Sequence, residues 1–319
     1  MISYSAPGKI ILSGEHSVVY TKPAFVTAID LALTFSIRKK RATDVISKTK
    51  EVTYSENIVK KYLQKNNISF SDQEYIYKID SRIPEGRGMG SSAAFCVASV
   101  AALLHFYTGK QYEKQVINSL AYQCEKYFHG MPSGVDVSAS CFGGLIFYRK
   151  EFEFLKTISA LNFKIPKKFQ DNMILINTGR PVETTADMVK HVGNLYNKHP
   201  KEIERTLAGI ERVTKRMVIS IVKEDLKMFT DAIEENQKLL VELGIVSKDT
   251  QKLLESLKPY GVGKVTGAGG LKKGSGFILF MKTEGVDIQR IVHKQNIISF
   301  TQNHSGVVLN KLRPTGVNW

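Results

Sequence analysis

Three glycines and two serines within seven residues carry the strongest chemical signal in the sequence. The run GRGMGSS, residues 86–92, follows a β-like stretch, YIYKIDSRI, and leads into a segment so apolar on all sides that it reads as a buried helix. Glycines let a backbone approach a ligand closely and adopt positive φ. The start of the following helix adds unpaired N–H groups at the positive end of its dipole. Gly86, Gly88 and Gly90 therefore suit a phosphate, and the hydroxyls of Ser91 and Ser92 can bond that phosphate or ligate Mg²⁺. The spacing is not a Walker A loop, because no Gly-Lys-Ser/Thr follows, nor is it GxGxxG. A glycine-rich turn capped by serine before a core helix is the competing reading.

The elements around this loop have to position the rest. Strand-like runs KIILSG, LALTFSI, YIYKID and GLIFYR alternate with apolar helical stretches up to about Lys150, which predicts mixed α/β structure. Between Gln111 and Phe128, apolar residues at Val116, Leu120, Ala121, Cys124, Tyr127 and Phe128 mark an amphipathic helix. Glu125 falls beside that stripe, where it either reaches a cleft at the helix edge or is an ordinary solvated glutamate. From Ile203 to Leu257 amphipathic helices dominate, interrupted at Gly209 and Gly244, and strands return at KVTG, GFILFMK and IISFTQ. The polar stretch 155–172 is the predicted linker between two halves, giving domains 1–160 and 161–319. No internal repeat suggests a solenoid.

A chain of 319 residues fits one large or two medium domains. Its 43% hydrophobic and 24% charged residues are ordinary for a globular protein, and no run of eighteen uncharged apolar residues points to a membrane span. The N-terminus has neither a basic leader nor a small-residue cleavage site, so a cytoplasmic location is expected. Cys96, Cys124 and Cys141 match no CxxC or Cys/His spacing, which argues for buried thiols over a disulfide framework or zinc site. The excess of 45 basic over 30 acidic residues, +15, suits an anionic ligand. Nucleic acid is not expected as a partner, because the basic residues are dispersed without interleaved aromatics.

Three segments in order resemble the motifs of the GHMP kinases. SAPGKIILSGEHSVVY, residues 5–20, resembles the first; IPEGRGMGSSAA, from residue 83, resembles the second, with Met89 where leucine is usual; KVTGAGG, residues 264–270, resembles the third. The resemblance spans the whole chain. It implies a two-domain fold with a ribosomal-protein-like N-terminal domain and a ferredoxin-like C-terminal domain, and transfer of the γ-phosphate of ATP to an alcohol with Mg²⁺ as cofactor. After Gly270 the chain departs from the family form, inserting Leu271, Lys272 and Lys273 before Gly274-Ser275-Gly276.

Carried over residue by residue, the resemblance makes Asp136, in HGMPSGVD, the group that accepts or orients the hydroxyl proton, with Lys9 as its cationic partner. Glu125 and Ser92 become the Mg²⁺ ligands. The ATP phosphates fall to Gly86, Gly88, Met89, Gly90, Ser91, Ser92, Gly267 and Gly269; the acceptor falls to Lys9, Glu15, His16, Ser133, Gly134, Thr185 and Ala268. In NTGRPVETTADMV, Thr184 neighbours Thr185, and Ala186 stands where the family often has lysine. Gly14-Glu15-His16 and HGMPSG resemble the mevalonate-phosphorylating members, whereas Val137 stands where those members commonly have asparagine and DVSASCFGG resembles those acting on phosphomevalonate. The expected ligands are ATP and mevalonate; a homodimer is left open, and a catalytically silent RNA-binding relative is the remote alternative.

Overall fold

The computed structural model describes residues 1–130 and 132–311; Met131, within the HGMPSGVD motif, and residues 312–319, the end of the second expected domain, lie outside them. Two antiparallel sheets organise the chain. The first is built on two long strands, β1 (Ile2–Ser13) and β2 (Ala24–Lys39), rich in the β-branched and aromatic residues that favour a pleated surface. β2 is long enough to hold two partners along one edge: β3 (Tyr75–Ser81) pairs with Leu33–Lys39, and β4 (Leu145–Lys150) pairs with Ala24–Thr27. β5 (Lys156–Leu161) extends β4, and the C-terminal β10 (Val308–Leu309) returns to pair with β1.

Four helices complete this half: α1 (Lys50–Lys65), α2 (Ser91–Thr108), α3 (Lys114–His129) and α4 (Val135–Phe142). α2 packs on both β1 and β2, with α1, α3 and α4 around it. By length and composition α2 matches a membrane span, which corrects the expectation that no such run exists, yet 78% of it is buried in the fold. It is a core helix.

The second sheet has the order β7 (Gly261–Thr266), β8 (Phe277–Lys282), β6 (Met173–Asn177), β9 (Ile297–Ser299). Its strands bury both faces. Met173, Leu175, Phe277, Leu279 and Met281 join the main core, while Ile174, Ile176, Ile278 and Phe280 pack with Leu257, Ile288 and Val292. Continuous apolar runs such as FILFM follow from that two-sided burial. The helices of this half are α5 (Lys167–Gln170), α6 (Thr185–Lys198), α7 (Pro200–Val222), α8 (Leu226–Glu242) and α9 (Lys248–Leu257). A separate core of Met188, Val192, Leu207, Ile210, Leu240 and Ile245 joins α6 to α7 and α8.

Two expectations change here. The stretch 155–172 is structured: it supplies β5 at the edge of the first sheet and then α5, whose Phe169 is fully buried against Phe229 of α8, ring centroids 5.1 Å apart. Gly209 does not interrupt a helix but lies inside α7, where a Cβ would come within 2.9 Å of the Leu239 side chain. Its missing side chain lets α7 and α8 approach. Gly244, at φ +70°, follows the end of α8 as expected.

Candidate active site

The register of β1 against β2 shifts between Pro7 and Lys9. A bulge of this kind re-aims a side chain, and here it frees the Lys9 N–H to donate to the Met89 carbonyl at 3.0 Å. Gly8 is needed at that approach, since a Cβ would stand 2.9 Å from the same oxygen. The Lys9 ammonium then meets Asp136, in the first turn of α4, with Nζ 3.1 Å from Oδ1. Lys9 is 3% exposed and Asp136 28%, so the pair opens to solvent only on the carboxylate side. Gly134, at φ +92°, starts α4, and the Tyr148 hydroxyl donates to the Ser133 carbonyl beside it.

The glycine-rich loop bends as its composition requires: Gly86, Gly88 and Gly90 all have φ between +65° and +80°. Gly90 precedes α2 and lies against the Lys9 stem, where a Cβ would stand 3.0 Å from its Cγ. The first backbone bond of α2 runs from the Ala94 N–H to the Gly90 carbonyl, 2.9 Å, which leaves the N–H groups of Ser91 and Ser92 facing the loop. The Met89 side chain is buried in the core, so this residue presents only backbone. Gly267 lies against Gly88, its Cβ position 3.3 Å from the Gly88 Cα. The second and third glycine motifs therefore touch. Gly269 packs elsewhere, against the Ile245 carbonyl that accepts from the Gly270 N–H at 3.0 Å. The Leu271–Lys273 insertion is exposed and tied by the Leu271 N–H to Glu183, 3.1 Å.

Glu125 is fully buried on α3, while Tyr127 and Phe128 are exposed. The apolar stripe is Ile117, Leu120, Ala121 and Cys124, and Glu125 beside it reaches the pocket rather than solvent, the first of the two positions expected for it. Burial, and then the charge of Asp136, push its carboxyl up to about 8, against the pull of Lys9 and Lys156. Its Oε2 has no hydrogen-bond partner among the described residues. One turn on, His129 Nε2 lies 3.1 Å from Ser92 Oγ. Sequence reasoning missed His129, although it opens the quoted HGMPSG motif. Burial lowers its pKa, and a neutral ring can accept the Ser92 proton, which leaves the hydroxyl oxygen free to serve as a ligand.

Glu15 and His16 both line the pocket and both already have partners. Glu15 pairs with Lys264 of β7, a residue sequence reasoning passed over. Burial raises the Glu15 carboxyl and lowers the Lys264 amine. His16, at φ +56°, sets Nε2 2.9 Å from the Ala268 carbonyl, so that nitrogen carries the proton; burial keeps the ring neutral. The first motif is thus bound to the third twice over. Ile11 of β1 adds a third tie, exchanging hydrogen bonds with the Thr266 hydroxyl at 2.9 and 3.0 Å.

From the other half, α6 brings Thr185, Ala186, Val189 and Lys190 to the pocket. Thr184 is engaged in a capping box with Asp187, which leaves Thr185 as the exposed hydroxyl at the helix start. The cavity, about 340 Å³, collects Lys9, Glu15, His16, Gly88, Glu125, Ser133, Asp136, Thr185, Gly267 and Ala268 from the expected site, with Val18, Val19 and Val135 as apolar lining. A floor of carboxylates and a paired lysine, beside two glycine turns and a helix N-terminus, can bind phosphates and move a proton from an alcohol.

Similarity to known proteins agrees with this chemistry. The GHMP kinases N terminal domain matches residues 53–144. A mevalonate kinase of Archaeoglobus fulgidus is 33% identical over 308 residues, covering 89% of this chain and 99% of that protein. One of Pyrococcus furiosus is 30% identical, covering 83% and 86%. The crystal structure of the Methanococcus jannaschii mevalonate kinase superposes with a TM-score of 0.75 at 22% identity, over 94% of this chain and 98% of that one, a likeness of fold. The chain belongs to the GHMP kinase family, with mevalonate kinases among its relatives.

Proposed function

We propose that the protein transfers the γ-phosphoryl group of ATP to the C5 hydroxyl of mevalonate, giving 5-phosphomevalonate and ADP in isoprenoid precursor synthesis. The observation that carries this reading is the Lys9–Asp136 pair at 3.1 Å, set in one pocket with Gly88 and Gly267. The named activity of relatives at 33% and 30% identity supports mevalonate as the acceptor.

In this reading Asp136 accepts the hydroxyl proton as the oxygen attacks phosphorus. Lys9, 3.1 Å away, orients that carboxylate, and its charge offsets the negative charge on the moving phosphoryl group. The loop Gly86–Ser92 and Gly267 hold the phosphates through backbone N–H groups, with Gly269 fixing the third motif behind them. Glu125, with an unpartnered buried oxygen, and Ser92 fit a hard cation that keeps several waters. Held there by Glu125 and Ser92, Mg²⁺ would supply positive charge to offset that developing on the transferring phosphoryl group. His16, Ser133, Gly134, Thr185 and Ala268 shape the acceptor end, and Glu15 acts there by holding Lys264. The two halves, divided near residue 160, correspond in this reading to the ribosomal-protein-like and ferredoxin-like domains of the family.

Product analysis by mass spectrometry on mevalonate, phosphomevalonate, homoserine and galactose tests the acceptor. Mg²⁺-dependent ATP consumption with mevalonate alone is expected. Turnover with phosphomevalonate alone would keep the kinase and replace its substrate.

A further inference from the structure

The register shift in β1 ties that strand to two other parts of the site. Past the shift, the Lys9 N–H donates to the Met89 carbonyl of the glycine-rich loop at 3.0 Å; before it, the Pro7 carbonyl accepts from the hydroxyl of Ser140, on α4, at 2.6 Å. Ser140 is fully buried. It lies four residues after Asp136 in α4, so both side chains project from one face of the helix. That face meets β1 twice: Asp136 at the Lys9 ammonium, 3.1 Å away, and Ser140 at the backbone two residues earlier. The other polar ties of α4 run elsewhere. Ser138 bonds within the helix to the Gly134 carbonyl at 2.8 Å, and Cys141 bonds through its thiol to the Lys114 carbonyl and through its own carbonyl to the Val307 N–H.

We propose that Ser140 is a positioning residue for the phosphoryl transfer: its hydroxyl sets the rotation of α4 against the Pro7–Lys9 segment and so holds the Asp136 carboxylate in register with the Lys9 ammonium. This rests on the reading of that pair as the unit that takes the acceptor's proton, and deepens it. The buried side chains of Val135, Val137, Ala139 and Cys141 keep α4 packed, but apolar burial is non-directional and does not by itself choose the helix rotation. Nor does the ion pair. A lysine ammonium on its flexible stem meets a carboxylate from many directions, whereas serine, with a single χ angle, fixes the helix backbone at a set distance from the Pro7 carbonyl. Ser140 does not line the pocket, so its replacement leaves the contacts to both substrates in place. What it changes is alignment, and about 1 Å of misplacement at a reacting group can cost about 10²-fold in rate.

The test is steady-state kinetics on Ser140→Ala with Mg²⁺, ATP and mevalonate, beside Ser220→Ala as a control. Ser220 is equally buried on α7, and its hydroxyl bonds within its own helix, to the Met217 carbonyl at 2.8 Å. Each variant loses one buried hydroxyl bond, so their melting temperatures should fall by similar amounts. Only Ser140→Ala should lose kcat, about 10- to 100-fold, with KM for both substrates within about twofold of the parent. Because Ser140 acts through the pair, adding Ser140→Ala to Asp136→Asn should slow that variant by less than about twofold. A kcat for Ser140→Ala within about threefold of the parent, a loss carried by KM, or an undiminished further loss on the Asp136→Asn background would each overturn the proposal. A parent enzyme that fails on every acceptor would instead remove the reading of the pair, and this assignment with it.

Discussion

Glu15 and Lys264, 249 positions apart in the chain, form an ion pair in which neither side chain is exposed. Lys264 also donates to the Val265 carbonyl at 2.8 Å and the Ile11 carbonyl at 3.3 Å, so its ammonium is satisfied, whereas Glu15 Oε2 has no partner among the described residues. Removing one member leaves an uncompensated buried charge. Glu15→Gln should therefore cost about 3–5 kcal/mol, whereas the double change Glu15→Leu with Lys264→Met should be closer to the parent than either single substitution. Urea denaturation checks this. A single substitution that leaves stability within about 1 kcal/mol would show that the pair does not fasten the first motif to the third.

Glu125 sets a pH dependence of unusual sign. Its carboxyl, pushed up to about 8 by burial and by Asp136, stays protonated in the fold where an unfolded glutamate near 4.5 would ionise. Between those values the folded chain holds the extra proton, so stability falls as pH rises across the window. Glu125→Gln, neutral throughout, should melt higher than the parent at pH 8.5 without metal or nucleotide, and the gap should close by pH 5. Thermal unfolding at the two pH values decides it; a constant gap would mean that the carboxyl is ionised in the fold.

Contact between the glycine motifs predicts a separation of strain from function. Gly267 at φ +101° has the Gly88 backbone 3.3 Å from its Cβ position, while Gly285 at φ +78° has open space. Gly285→Ala should cost only the left-handed backbone strain, about 1 kcal/mol, with normal kinetics. Gly267→Ala should carry similar strain and also displace the Gly88 loop, raising KM for ATP about tenfold or more. Steady-state kinetics on the two variants, matched by their melting temperatures, is the comparison. Equal KM values would dissociate the third motif from the nucleotide.

Residues whose chemistry is local were the legible ones. Gly86, Gly88 and Gly90 need positive φ wherever the chain turns, so the loop could be read from composition alone. The run from Ser91 was legible as a buried helix because it is apolar all round. What escaped depends on partners distant in sequence. β5 was missed because an edge strand facing water, with Lys156, Thr157 and Ser159, looks like a polar linker. Lys264 reads as a surface lysine until Glu15 is brought to it, and His129 as a loop histidine until Ser92 is. Gly209 looked like a breaker because nothing local reveals that Leu239 lies over it. Tyr127 and Phe128 were read as part of the apolar stripe of α3, when the helix turns them to solvent.

The Lys9–Asp136 pair yields the sharpest test of mechanism. Asp136→Asn keeps the size of the side chain and much of its hydrogen bonding but cannot take a proton, so the loss should fall on kcat, by about 10²- to 10⁴-fold, with nucleotide affinity nearly unchanged. Lys9→Met should be comparably severe: it removes the charge 3.1 Å from Oδ1, and with it both the orientation of the carboxylate and a cation near the phosphoryl group. Because Lys9 is almost wholly buried, its loss should also lower stability, and single-turnover rates on folded protein separate the two effects. Groups that act as a unit do not add. The double variant should be little slower than the worse single one, a coupling that a cycle of the four proteins measures directly. Losses that add on a logarithmic scale would mean that the two residues contribute separately. An Asp136→Asn enzyme within about tenfold of the parent, roughly 1.4 kcal/mol of barrier, would place proton removal on another group.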